Sequence, residues 1–168
     1  MPDIVVDTNV PVVANGKSGQ ASPTCVATCA KRLVRFEAGD ERLIIDSGWL
    51  IIREYKNNLS QTGQPGPGSS FLKWVLTNYA NPQRCKQVAI TPSLTIANSF
   101  DEFPNDPALS GFDPSDRKFV AVALAHAGCP PILQAVDRKW WNLRDDLERN
   151  GVSVEFICEN DVKLIANQ

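Results

Sequence analysis

The sequence predicts an α/β fold: a three-layer α/β/α sandwich around a central, mostly parallel sheet of about five strands. Short apolar runs rich in β-branched residues alternate along the chain with longer segments of helical periodicity. The apolar residues of each run occupy consecutive positions, which is typical of strands buried on both faces of a parallel sheet. The length of 168 residues suits one domain, so we expect residues 1–168 to form a single unit.

Five apolar runs predict strands, and residues suited to helix C-caps follow several of the helical segments between them. Strands are expected at residues 4–6, 43–45, 88–90, 132–136 and 152–157. Helices are expected at residues 22–38, 47–59, 70–79, 116–127 and 140–150. Gly39, Gly128 and Gly151 stand where C-terminal caps belong.

Two segments interrupt this alternation. Residues 61–70 are rich in glycine and proline, which predicts a flexible loop between two helices. Residues 101–116 contain five acids, three prolines and no base, which predicts an acidic loop at 101–115. A loop of that length inside a compact domain is usually functional or disordered.

The composition excludes several classes of protein. Lys and Arg number 17 against 19 Asp and Glu, so the chain is not a broadly basic protein that coats nucleic acid. The N-terminus has no basic region, and no stretch approaches the roughly 18 uncharged apolar residues of a membrane span. We therefore expect a cytoplasmic protein without a membrane partner. The five cysteines form no framework, so reduced thiols are expected, with Cys25 and Cys29 packed in the core.

Aspartates directly follow three of the predicted strands. Asp7 follows the first, Asp46 the second and Asp137 the fourth, while Asp116 opens the helix that leads into the strand before Asp137. In a parallel sheet all four would lie at one edge, where ligands of open α/β sheets bind.

Each of these aspartates also has a purely structural interpretation, as a turn residue or a helix N-cap. This structural interpretation fits Asp46 well, because Ser47 and a helix follow it. Asp113 fits an N-cap as well, with Pro114 at the first helical position and Asp116 pointing outward from the first turn.

Glu54 stands out because the helix that carries it is apolar almost all round at its start, which implies burial. An unpaired buried carboxylate is costly and tends to become protonated. Either a functional charge partner or a salt bridge to Arg53 or Lys56 would remove this difficulty.

Together these acids predict a chemistry. Two carboxylates about 6 Å apart repel by roughly 3 kcal/mol at an effective dielectric constant of about 20, so a converging group requires cations. Oxygen-only ligand sets suit Mg²⁺ or Mn²⁺, and such ions promote phosphodiester hydrolysis by activating a bound water. Metal-dependent phosphoryl chemistry is the leading functional hypothesis.

Four short motifs carry a family resemblance. In chain order they are IVVDTN at 4–9, IREY at 52–55, DRKFVAVA at 116–123 and VDRKW at 136–140. This ordered set resembles the PIN domain family, metal-dependent nucleases that include many bacterial toxin ribonucleases. The resemblance runs from Ile4 to about Ile157 and implies hydrolysis that leaves a 5′-phosphate and a 3′-hydroxyl.

The resemblance places the catalytic acids at Asp7, Glu54, Asp116 and Asp137. We expect Asp7, Asp116 and Asp137 to bind Mg²⁺ or Mn²⁺, and Glu54 to orient the attacking water. Cations must offset the acidic site where substrate approaches. We assign that role to Arg117, Lys118, Arg138 and Lys139, although each of these cations could equally be a solvated helix end. Asn9 is either a supporting donor or a cap of the following loop.

The expected substrate is RNA in preference to DNA, and the resemblance admits an antitoxin protein or a second copy of the chain as a partner. One alternative is a catalytically silent PIN module that binds nucleic acid or protein. A haloacid-dehalogenase-like phosphatase is a weaker alternative, because it needs an acid two residues after the first, where this chain has Asn9.

Overall fold

The computed structural model describes the whole chain, residues 1–168, and confirms the predicted α/β class. Its five strands form one sheet in the order β3-β2-β1-β4-β5, and all four pairings are parallel. The strands are β1 (Asp3–Val6), β2 (Arg42–Asp46), β3 (Cys85–Val88), β4 (Ile132–Gln134) and β5 (Val154–Phe156). Helices flank this sheet.

Eight helices surround the sheet. They are α1 (Asn9–Ala14), α2 (Pro23–Ala38), α3 (Leu50–Asn58), α4 (Pro67–Asn78), α5 (Arg117–Ala125), α6 (Arg138–Asn142), α7 (Arg144–Arg149) and α8 (Glu159–Ala166). Helices α1 and α8 were not predicted, because six and eight residues are too few to display a helical period. The helix predicted at 140–150 is in fact the pair α6 and α7, which is divided at Leu143 by a non-helical φ of −101°.

The strands differ in how well the sequence predicts them. Val5 and Val6 of the central strand β1 are fully buried, as the apolar run requires. Strand β3 lies at the sheet edge with Lys86 and Gln87 exposed, so it spans Cys85–Val88 instead of residues 88–90. A polar edge strand lacks the apolar signal by which the buried strands are found.

Both predicted loops are more ordered than expected. Helix α4 begins at Pro67, inside the segment predicted as a flexible loop. The acidic loop contains two short 3₁₀ turns, Pro107–Leu109 and Pro114–Asp116, and three of its apolar side chains are buried. Burial of Phe103, Leu109 and Phe112 anchors this loop to the core.

The cysteines correct one expectation. Cys25 and Cys29 are buried, as predicted, but Cys25 is joined to Cys158 in a disulfide, so the expectation of reduced thiols is wrong for this pair. The two residues are 133 positions apart, and only the return of α8 to α2 brings them together. None of the helices combines the length and the apolarity that crossing a membrane would require.

Candidate functional site

All four predicted acids line one cleft at the carboxyl end of the sheet. The cleft has a volume of about 330 Å³. It is lined by Asp7, Thr8, Asn9, Val12, Glu54, Asn58, Ser115, Asp116 and Asp137. The set contains four acids and no base, so negative charge from four separate segments of the chain meets here.

Asp7 is the most deeply buried of the four acids, with 4% of its surface exposed. Its Oδ2 accepts a hydrogen bond from the backbone N–H of Asn9 at 2.9 Å, whereas its Oδ1 is buried without a partner. Burial, reinforced by the charges of Asp116 and Glu54, holds the pKa of Asp7 well above its usual range. The side-chain amide of Gln134, whose Nε2 is also buried without a partner, acts on this carboxylate and opposes the rise in its pKa, as does the Asn9 amide. A buried carboxylate oxygen without a full hydrogen bond is rare in proteins.

The end of β1 that carries Asp7 is fixed by a residue the sequence analysis did not single out. The hydroxyl of Tyr55, fully buried in α3, donates a hydrogen bond to the carbonyl of Val6. Tyr55 directly follows Glu54, so one turn of α3 both braces the strand and presents an acid to the cleft. This adjacency is visible in the sequence, but the long-range contact is not.

Glu54 has partners other than those suggested by its neighbours in sequence. The hydroxyl of Thr8 donates to Oε2 of Glu54, and Nζ of Lys118 lies 2.7 Å from Oε1. Arg53 and Lys56 are exposed and take no part in an ion pair, so the proposed salt bridge to one of them is wrong. Lys118, from the first turn of α5, supplies the charge partner and is therefore engaged with an acid of the site.

Asp116 ends the second 3₁₀ turn and directly precedes α5. The indole Nε1 of Trp140 donates to its Oδ2 at 3.3 Å. Burial, followed by the charges of Asp113 and Asp137, raises the pKa of Asp116 to about 7. The adjacent Trp140 is fully buried, and Trp141 is only partly buried.

Asp137 combines the two roles weighed for it in the sequence. Its Oδ1 accepts the backbone N–H of Lys139 at 2.9 Å, which makes Asp137 the N-cap of α6. Its side chain also lines the cleft. Asn9 supports this corner, because its Oδ1 accepts the N–H of Val136 at 2.9 Å and so ties α1 to the segment after β4.

Asp46 and Asp113 do not line the cleft. Both oxygens of Asp46 accept backbone N–H groups at the start of α3, from Leu50 and Ile51, each at 2.8 Å. Asp113 accepts from the backbone and the hydroxyl of Ser115 and caps the second 3₁₀ turn. Both residues act as helix caps, as their sequence context suggested.

The cations assigned to substrate phosphates have different environments. Arg117 is buried, and all three of its guanidinium nitrogens donate to oxygens of Ser99, Ser110 or Phe112. It fastens the acidic loop and does not line the cleft, so we remove it from the substrate-binding set. Arg138 and Lys139 are exposed beside Asp137, and Lys139 lies 3.3 Å from Asp113.

The donor set of the cleft fits a hard divalent cation. It offers carboxylate oxygens, and these are the ligands that Mg²⁺ and Mn²⁺ prefer. The carboxylates are not tightly grouped: the only three metal-ligating side chains with all ligand atoms within 4.8 Å of one another are Cys25, Cys29 and Cys158.

Comparisons of the chain with protein-family models, with curated proteins and with solved structures found no match.

Proposed function

We propose that this protein is a nuclease that hydrolyses phosphodiester bonds with Mg²⁺ or Mn²⁺, as the resemblance of its motifs to the PIN domain family implies. The proposed substrate is RNA, single-stranded or structured, and the proposed site of action is the cytoplasm. The observation that carries the proposal is the cleft itself: four carboxylates from separate segments, one with a buried unpartnered oxygen, and no base among the lining residues.

The electrostatics of the cleft support a bound cation. The pKa values of Asp7 and Asp116 are both raised by burial and by neighbouring carboxylates, so their ionised forms are destabilised as the site stands. A divalent ion would reverse this effect. Since no three cleft carboxylates lie within 4.8 Å of one another, Asp7, Asp116 and Asp137 would hold it after their side chains close in, or through bridging waters. When bound, the ion supplies a water of lowered pKa and offsets charge on the phosphate.

Glu54 is the residue we propose to accept a proton from the attacking water. Thr8 and Lys118 each occupy one of its oxygens and fix the carboxylate, and each oxygen keeps a lone pair for a further hydrogen bond. As the water oxygen bonds to phosphorus, the bond from phosphorus to O3′ breaks and O3′ takes up a proton. The products are a 5′-phosphate and a 3′-hydroxyl.

A second pocket continues from the acidic cleft and suggests where the rest of the strand lies. It has a volume of about 540 Å³ and shares Asp116 with the cleft. Its lining is apolar at Phe112, Trp140 and Leu143, polar at Asn142, and charged at Asp113, Asp116 and Lys139. A base next to the scissile bond would enter this pocket, and the exposed Arg138 and Lys139 would hold flanking phosphates.

The test is cleavage of labelled single-stranded RNA, and of DNA of the same sequence, with Mg²⁺ or Mn²⁺. We expect cleavage that stops with EDTA, returns with excess Mn²⁺ and leaves 5′-phosphate ends. Asp7→Asn should lower the rate roughly 100-fold or more, since even outer-sphere partners of metal ligands are worth about 10–100-fold.

The matched control is Asp46→Asn, a strand-end aspartate outside the cleft, which should cleave at close to the wild-type rate. Cleavage that is insensitive to EDTA, or equal in Asp7→Asn and wild type, contradicts the proposal. Tight RNA binding without cleavage by the wild type would instead indicate a catalytically silent binding module.

A further inference from the structure

Three cysteine sulfurs lie together where α2 meets the start of α8. Cys25 and Cys29 are one turn apart on α2, and Cys158 immediately precedes α8. The Sγ atoms of all three lie within 4.8 Å of one another, and all three residues are buried. None of them lines the acidic cleft.

A disulfide accounts for only two of these sulfurs. Cys25 and Cys158 form the bond, and the Sγ of Cys29 lies 3.7 Å from that of Cys158 as a free thiol. Burial, and to a smaller degree the charge of Asp161, raises the pKa of the Cys29 thiol to about 12. In the metal-free chain Cys29 is therefore a protonated thiol and a poor nucleophile toward the neighbouring disulfide.

Two of the three sulfurs, those of Cys25 and Cys158, lie at helix N-termini. Cys25 lies in the first turn of α2, where its N–H bonds to the N-cap Ser22, and Cys158 is the N-cap residue of α8. Asp161 of α8 accepts the backbone N–H of Ser22 at 2.7 Å and so ties the two helix starts together. The N-terminal ends of two helices thus meet at Cys25 and Cys158, which favours thiolate charge there, whereas burial and the charge of Asp161 oppose it at Cys29.

We propose that, in the reduced chain, Cys25, Cys29 and Cys158 together bind one Zn²⁺ ion. In a tetrahedral site with Zn–S bonds of about 2.3 Å, neighbouring sulfurs lie about 3.8 Å apart. The 3.7 Å between Cys29 and Cys158 already matches this spacing, whereas Cys25 and Cys158 must first separate.

The chemistry of loading balances with a dithiol as reductant. The dithiol gives two electrons and two protons to the Cys25–Cys158 bond and becomes a disulfide itself. Three thiols then release three protons as they bind the ion. A cavity of about 310 Å³ beside the sulfurs, lined partly by Glu159 and Asp161, leaves room for a water or a carboxylate as the fourth ligand.

The zinc ion would replace the disulfide as the link between the C-terminal helix and α2 in a reducing compartment. This role does not depend on the proposed nuclease activity, because the two sites share no residue. The full chain reduced with a dithiol, freed of that dithiol and stripped of metal, is the form to test.

The experiment is a titration of this protein with Zn²⁺ against a chromophoric chelator, repeated with Co²⁺ to detect thiolate-to-cobalt absorption. We expect one Zn²⁺ per reduced chain, together with sulfur-to-cobalt bands that the acidic cleft cannot produce. Cys29→Ser should weaken the binding about 100-fold or more while still forming the Cys25–Cys158 disulfide. Cys129→Ser, at an exposed free cysteine, should bind as the wild type does.

The same measurement on oxidised wild-type protein needs no substitution and guards against a Cys29 variant that fails to fold. The oxidised chain should show no thiolate-to-cobalt bands. Absence of those bands in the reduced wild type overturns the proposal, as does equal affinity in a folded Cys29→Ser variant. Loss of RNA cleavage with intact zinc binding would leave this site standing and reject the nuclease alone.

Discussion

Asp7 directly follows β1 and Asp46 is the last residue of the neighbouring parallel strand β2. Both are almost fully buried, yet their carboxylates have opposite surroundings. Both oxygens of Asp46 accept backbone N–H groups of α3 at 2.8 Å. Asp7 accepts one backbone N–H, and its other oxygen has no partner. Hydrogen-bond saturation, more than residue type or place on the sheet, separates a structural aspartate from a candidate ligand.

The connections that follow the two strands explain the difference. After Asp46, three residues intervene before α3, and Trp49 takes a left-handed conformation with φ 65° that directs the helix amides toward the carboxylate. After Asp7, a single residue, Thr8, precedes α1, and only the N–H of Asn9 reaches the side chain. A tighter turn leaves one oxygen of Asp7 without a backbone donor.

The largest expected effect is a difference in RNA cleavage rate between Asp7→Asn and Asp46→Asn. Asp7→Asn should lower RNA cleavage roughly 100-fold or more without lowering the free energy of unfolding, because it removes a crowded charge. Asp46→Asn should cleave within a few-fold of wild type but unfold more easily by about 1–2 kcal/mol, because one helix amide loses its acceptor. Cleavage rates and urea denaturation measure the two effects.

This comparison fails if the two variants lose activity in the same proportion as they lose stability. Both aspartates would then be structural, and the free oxygen of Asp7 would carry no functional meaning.

A smaller effect is expected at Asp116, whose carboxylate should destabilise the metal-free fold when ionised, as that of Asp7 does and that of Asp46 does not. The carboxyl of Asp116 has a pKa of about 7 in the folded chain, against 3.8 for an ordinary exposed aspartate. Between those pH values the native chain holds more protons than the unfolded chain, so the free energy of unfolding falls as pH rises. Asp116→Asn should flatten this slope and stabilise the metal-free protein at pH 8 by roughly 1–3 kcal/mol, less than the full pKa shift implies because Asp116 is partly exposed.

Urea denaturation at pH 5 and pH 8 checks the slope. In the wild type, Mn²⁺ should raise stability more at pH 8 than at pH 5, since the ion competes with protons for the same carboxylates. If the free energy of unfolding depends on pH in Asp116→Asn as it does in the wild type, the ionised Asp116 carboxylate is already stabilised by neighbouring groups.

The sequence predicts the fold and the meeting of the acids for the same reason: both follow from strands that end in aspartate. Alternating apolar runs require a parallel sheet, and a parallel sheet brings Asp7 and Asp137 to one edge. The partner that each side chain of a helix contacts is harder to predict. Successive residues on α5 point about 100° apart, so Arg117 turns into the acidic loop while Lys118 reaches Glu54.

The contacts that the sequence did not predict share one cause: their partners are far apart along the chain. Lys118 is 64 positions from Glu54, and Cys158 is 133 positions from Cys25. Local periodicity cannot predict such pairs, because each pair depends on how segments far apart in the sequence pack on the sheet. Capping roles are local, and those of Asp46 and Asp113 were accordingly predictable from the residues that follow them.

The smallest expected effect concerns the exposed cations beside the cleft. Lys139 pairs with Asp113 at 3.3 Å but is 68% exposed, and such a pair contributes less than about 1 kcal/mol to stability. If Lys139 holds a phosphate, Lys139→Ala should weaken RNA binding a few-fold for every sequence and reduce the slope of log affinity against log salt by about 0.7. Lys163→Ala is the matched control, since Lys163 is an exposed cation that pairs with Glu159, lies near the Trp141 ring and is outside the cleft. Binding is measured in EDTA, where cleavage is blocked, so that affinity is separated from catalysis. An unchanged salt slope in Lys139→Ala would mean that the RNA strand leaves the acidic cleft on the side away from α6.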